Sequence, residues 1–169
     1  MIHILILCIL FITLPVVSLA AEFRSKNCPF VAFIPDSLGT LEIGESSNEA
    51  AFGLIRGKDV SIDIACGINF LHTPIPEDAE IERRKVISNF DLLDYPQELL
   101  NFQYVRKASY ALVFYSALEK TEPERIALVV NGYSDPALLT MVIIVAPSVS
   151  ESVRDQIDEV LKSISWKVV

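Results

Sequence analysis

The chain has 169 residues, 51% of them hydrophobic and 21% charged, and its 14 Lys plus Arg against 22 Asp plus Glu give a formal net charge of −8. So much apolar content can offset the entropy lost on folding, which excludes a disordered tail or a low-complexity spacer. An acidic balance, with a pI near 4.7, excludes an electrostatic grip on nucleic acid, because that grip needs a basic face to displace counterions.

Residues Met1 to Ala20 contain no Asp, Glu, Lys or Arg. Ile4 to Leu14 is a nearly unbroken apolar run, Pro15 follows, and Ser18-Leu19-Ala20 places small residues where an export peptidase reads. The reading is a secretory signal over residues 1–20, cleaved ahead of a single domain at residues 21–169. Its n-region has only the amino terminus and His3 where Lys or Arg is usual, and an apolar run of this length also leaves a retained membrane anchor open. Cys8 comes too early for a lipid-attachment site and reads as one more apolar residue of the run. Export leads to a periplasmic or extracellular location. It also favours pairing Cys28 with Cys66, the two cysteines left after cleavage, the alternative being two buried free thiols. A loop of about 39 residues would then be closed, worth roughly 4 kcal/mol in the chain-entropy account.

After a short polar lead from Glu22 to Asn27, Pro29 to Ile34 reads as a first strand stopped by Pro35-Asp36-Ser37. Thr40–Ile43 and Ala50–Arg56 are expected to be extended, and Gly57-Lys58-Asp59 to turn the chain into Val60–Cys66. Along this last run Val60, Ile62, Ile64 and Cys66 share one face, as period 2 requires of a sheet with one side buried. Thr73-Pro74-Ile75-Pro76 breaks the chain. Acidic Glu77, Asp78, Glu80 and Glu82 followed by Arg83, Arg84 and Lys85 suit the dipole of a helix from about Glu77 to Phe90. A second short helix is expected over Pro96–Asn101, then one central strand, covered on both faces, between Phe102 and Ser116.

Ile126–Val130 and Ala137–Val145 flank Asn131-Gly132-Tyr133-Ser134-Asp135-Pro136, which reads as a hairpin. A closing amphipathic helix carries Val149, Val153, Ile157, Val160, Leu161 and Ile164 on one stripe, with Ser148 and Glu151 at capping-box spacing. No internal repeat and no linker divides the chain.

An opening strand ending in Phe33-Ile34-Pro35, a late hairpin ending at Ala146-Pro147, and a helix closing on Leu161-Lys162-Ser163-Ile164-Ser165-Trp166 together resemble the PsbP-like superfamily, which includes exported DcrB-like bacterial proteins. The resemblance covers Pro29 to Cys66 and Ser109 to Trp166. It departs at Ser37-Leu38-Gly39, where members often carry an aromatic, and it leaves Leu71 to Tyr104 unmatched. What it implies is an α+β fold: a single-domain α/β/α sandwich with a mainly antiparallel sheet and a C-terminal amphipathic helix. It also implies a scaffold, assembly or binding role without a shared catalytic centre, although fold alone does not fix function.

Each candidate for chemistry has a plainer reading. His72, the one histidine left after the signal, sits in a proline-bounded loop with no base–nucleophile arrangement around it. Asn131 to Asp135 lacks the glycine spacing of a nucleophile elbow. Cys28, Cys66 and His72 lack the close paired spacing of a zinc site, and neither Glu77, Asp78, Glu80 nor Asp91, Asp94, Glu98 follows the calcium-loop pattern, so neither metal nor cofactor is expected. The aromatics Phe90, Tyr95, Phe102, Tyr104, Tyr110, Phe114 and Tyr115 read as core before they read as a pocket.

The expected function is that of an exported, non-catalytic interaction or assembly protein with a protein partner. One version is an inhibitor or immunity protein steered onto a basic partner by its acidic surface. The alternative is a small-ligand carrier or hydrolase-type enzyme using a pocket near residues 71–104. Membrane contact is expected only through an uncleaved signal. The working surface is placed at His72, Glu77, Asp78, Glu80, Arg83 and Arg84, because long connections on a rigid scaffold tend to carry function.

Overall fold

A computed structural model of the protein describes residues 20–26, 28–46, 50–90, 97–121 and 123–167. The apolar run Ile4–Leu14 and Cys8, Asp91, Asp94 and Tyr95 lie outside the described residues.

Alternation of apolar and polar residues builds most of the protein. Strands β3 (Glu42–Ser46), β4 (Ala50–Arg56), β5 (Val60–Ile68), β6 (Gln97–Arg106), β7 (Tyr110–Glu119), β8 (Arg125–Ser134) and β9 (Ala137–Val145) form one seven-stranded sheet in the order β3-β4-β5-β9-β8-β7-β6. Every neighbouring pair is antiparallel. A second sheet of β1 (Ala20–Ser25), β2 (Cys28–Pro35) and β10 (Ser165–Trp166) has the order β1-β2-β10. Helix α2 (Glu151–Ser163) is tied to this small sheet where Ser163 Oγ accepts from the Phe33 N–H and donates to the Phe33 carbonyl. Helix α1 (Ala79–Phe90) lies on the opposite face of the large sheet, with Phe90 against Tyr115 at 6.2 Å. These layers make the α+β fold that the PsbP-like resemblance implies.

The register sets the core. Ile62 pairs with Ile143, Ile64 with Met141 and Cys66 with Leu139, so the inward residues of β5 and β9 form one apolar surface. Phe23, Phe30, Ile34, Ile157 and Val160 close over it from the small sheet and α2. Cys28 and Cys66 form a disulfide with a Cα–Cα distance of 5.7 Å, joining β2 to β5. Nearby, Trp166 stacks on Tyr110 at 5.8 Å and takes Phe30 edge-on at 5.3 Å, an arrangement the ring quadrupoles favour. Gly132 lets Phe30 approach the sheet. A Cβ there would lie 2.8 Å from the Phe30 ring.

Several expectations need correction. Of the helix expected over Pro96–Asn101, the described residues Gln97–Asn101 are extended instead, as the start of the edge strand β6 (Gln97–Arg106). The register shift between Leu99 and Asn101 breaks the period-2 pattern, and one bulged residue suffices to hide a strand in the sequence. Phe102–Ser116 is two strands, joined at a turn where Lys107 N–H donates to the Tyr110 carbonyl. Of the two, β7 is buried on both faces at Ala111, Leu112 and Val113. The β8–β9 turn shrinks to Asp135-Pro136, since β8 runs on to Ser134, whose hydroxyl donates to the Ala137 carbonyl. The cap of α2 is Ser150, accepting from Val153 N–H, and not Ser148. The polar lead contributes β1, paired with β2 from Ala20–Pro35 to Ser25–Cys28.

Candidate functional site

The seven-stranded sheet is wider than the layer that covers it. On the face under α2, residues alternate inward as Asn101, Gln103 and Val105 on β6 and as Tyr110, Leu112, Phe114 and Ser116 on β7, with Leu128 continuing onto β8. Helix α2 crosses beside this floor and supplies a wall of Asp158, Leu161 and Lys162, continued by Ile164 just past its end. Floor and wall enclose a groove of about 440 Å3, within the usual range for ligand sites.

Its chemistry follows from that construction. Leu112, Phe114, Leu128 and Leu161 give an apolar centre, while Asn101, Gln103 and Ser116 offer amide and hydroxyl groups on the floor. Asp158 and Lys162 stand one turn apart on α2, so the rim carries an anion and a cation side by side. Such a groove can bury an apolar side chain and align a polar backbone or head group.

The residues singled out in the sequence lie elsewhere. His72 is exposed and holds a left-handed backbone, φ 48°. Glu77 pairs with Arg106 at 3.8 Å. The Asp78 carboxylate accepts from Ile81 N–H at 2.8 Å, starting α1. Glu80 faces Arg83 at 4.0 Å and Arg84 at 3.9 Å along the same exposed helix. Glu80, Arg83 and Arg84 thus engage one another on α1, against the sheet face opposite the groove. Asn101 and Gln103 do fall within the 71–104 stretch named for a pocket, although the sequence offered no signal joining them to α2.

Beneath α1 lies a second polar cluster. Glu82, 5% exposed, forms an ion pair with Lys85. Burial raises the pKa of Tyr115, and burial, with Glu82 and Tyr115 nearby, pushes Tyr133 up to about 12. Both phenols therefore stay neutral near pH 7, when they are poor nucleophiles. Among the described residues no group of three or more His, Cys, Asp or Glu gathers in a way that could hold a metal ion. No helix of the described residues is long and apolar enough to cross a membrane.

No family model matches the sequence, and no curated protein matches it. The solved structures include a similar fold, that of cyanobacterial PsbP (CyanoP) from Synechocystis sp. PCC 6803. It is 11% identical, covers 89% of this chain and 94% of that one, and superposes with a TM-score of 0.56.

Proposed function

The chain has a PsbP-like fold, and from that premise we propose that it is an exported, non-catalytic interaction or assembly protein whose partner docks in the groove between α2 and β6–β7. The groove carries this reading, because apolar surface flanked by a few polar groups is how partner segments are held. The Cys28–Cys66 disulfide suits an oxidising compartment and, with the apolar leader, supports export to a periplasm or the cell exterior.

Asp158 stands on the groove's wall, and Glu151, Asp155 and Glu159 are exposed on the same helix. They favour a partner that brings a basic surface, in the manner of an inhibitor or immunity protein, with association slowing as salt rises. A small amphiphile carried in the same groove is the second reading, supported by the groove's volume.

The test uses Gln103→Trp, which fills the groove from an exposed position and removes no packing. Native protein and variant serve as baits in the host under oxidising conditions. A stoichiometric partner retained by the native protein and lost by Gln103→Trp supports the docking reading. Equal retention by both overturns it.

A further inference from the structure

The connection after β5 ends in an apolar tip that nothing in the fold uses. Phe70 is 63% and Leu71 87% exposed, yet the loop behind them is tightly built. Asn69, 2% exposed, donates from Nδ2 to the carbonyls of Thr73 and Ser134 and accepts from Thr73 N–H at 2.8 Å. Its own N–H reaches the Pro136 carbonyl, and His72 N–H closes the turn onto the Asn69 carbonyl. His72 sits at φ 48°, a conformation that costs a non-glycine residue free energy and persists only where the surroundings enforce it. A braced loop with a strained corner holds two large apolar side chains in water.

We propose that Phe70 and Leu71 insert into the interfacial layer of a lipid bilayer. Two observations favour lipid over a protein pocket. The tip is small: two side chains of this size expose a few hundred Å2 at most, well under the roughly 800 Å2 per partner that a stable protein interface needs. A bilayer asks for no matching concavity, and apolar tips with polar groups behind them bind its surface. Second, the polar groups stand at the right end of the sheet. Lys26 lies in the β1–β2 turn beside the Cys28–Cys66 bridge, and Lys107 opens the turn leading to Tyr110, which pairs with Ser134, itself bonded to Asn69. Both ammonium groups can sit at headgroup level while the tip enters. The tip contributes no residue to the groove, and this surface stands or falls apart from docking there.

The experiment is co-sedimentation of the purified protein, as its host processes it, with vesicles of phosphatidylcholine alone and of phosphatidylcholine mixed with phosphatidylglycerol. Phe70→Ser with Leu71→Ser should lower the partition constant by roughly tenfold or more on both vesicle types. Leu100→Ser, which removes another exposed apolar side chain at the end of β6 opposite Lys107, should leave it unchanged. In a parallel sample, Leu71→Trp should shift its emission to the blue on adding vesicles. Equal binding by the double variant, no native binding at millimolar lipid, or an effect of the double variant only on self-association without lipid would each overturn the proposal, the last by making the tip a contact between copies.

Discussion

Replacing both bridging cysteines, Cys28→Ala with Cys66→Ala, should cost more stability than any single substitution on the groove. The bridge spans 38 positions, and constraining a loop of about 39 residues in the unfolded chain is worth about 4 kcal/mol in the loop-closure account. Each cysteine is 2% exposed, so trimming both to alanine adds about 1 kcal/mol for lost packing. A total near 5 kcal/mol is a large share of the 5–15 kcal/mol that holds a typical domain together. At a urea dependence of about 1–3 kcal/mol/M, the unfolding midpoint should fall by about 2 M or more. Emission from Trp166 reports the transition, because its indole stacks on Tyr110 and meets Phe30 edge-on in the folded protein only. Reduced native protein should behave like the double variant. A loss below about 1 kcal/mol with unchanged urea dependence would refute the argument that the bridge acts by constraining the unfolded chain.

Two more predictions follow from buried polar groups. Because the Tyr133 pKa is raised to about 12 in the folded protein against 10.0 for the free phenol, the phenol's contribution is intact below pH 10 and is lost as pH climbs from 10 towards 12. The unfolded chain gives up its proton first. Tyr133→Phe should therefore flatten the decline in melting temperature over that range, and an unchanged alkaline profile would contradict the assignment. Asn69→Ala removes three side-chain hydrogen bonds from a residue 2% exposed. It should cost about 2–4 kcal/mol and speed amide exchange over Phe70–Thr73, whereas unchanged exchange there would show that the loop is held by other means.

Much of the fold was legible because its signals are local. Val60, Ile62, Ile64 and Cys66 alternate without interruption, and the Val153–Ile157–Val160 stripe of α2 needs no distant partner to be seen. The bulge at Leu99–Asn101 shifted β6 out of phase and turned a strand into an apparent helix. Strand β1 was invisible, since its pairing with β2 is set by tertiary contact and Glu22, Arg24 and Ser25 look like a solvated lead. The groove could not be read at all. It exists because α2 leaves β6 and β7 partly uncovered, and no periodicity in residues 101–116 records where a helix from residues 151–163 will lie. Phe70-Leu71 was not singled out either, since an apolar pair ahead of the Thr73–Pro76 break carries no local sign that it will face water. What the sequence could not supply was the Asn69 network that holds it outward.

The most direct test of docking in the groove is an amide hydrogen-exchange footprint of the protein with its captured partner. The account predicts slowed exchange confined to β6–β7 around Asn101–Ser116 and to the Asp158–Ile164 end of α2, with the α1 surface at Glu80, Arg83 and Arg84 unchanged. Protection centred on α1, with the groove exchanging as in the free protein, would contradict it.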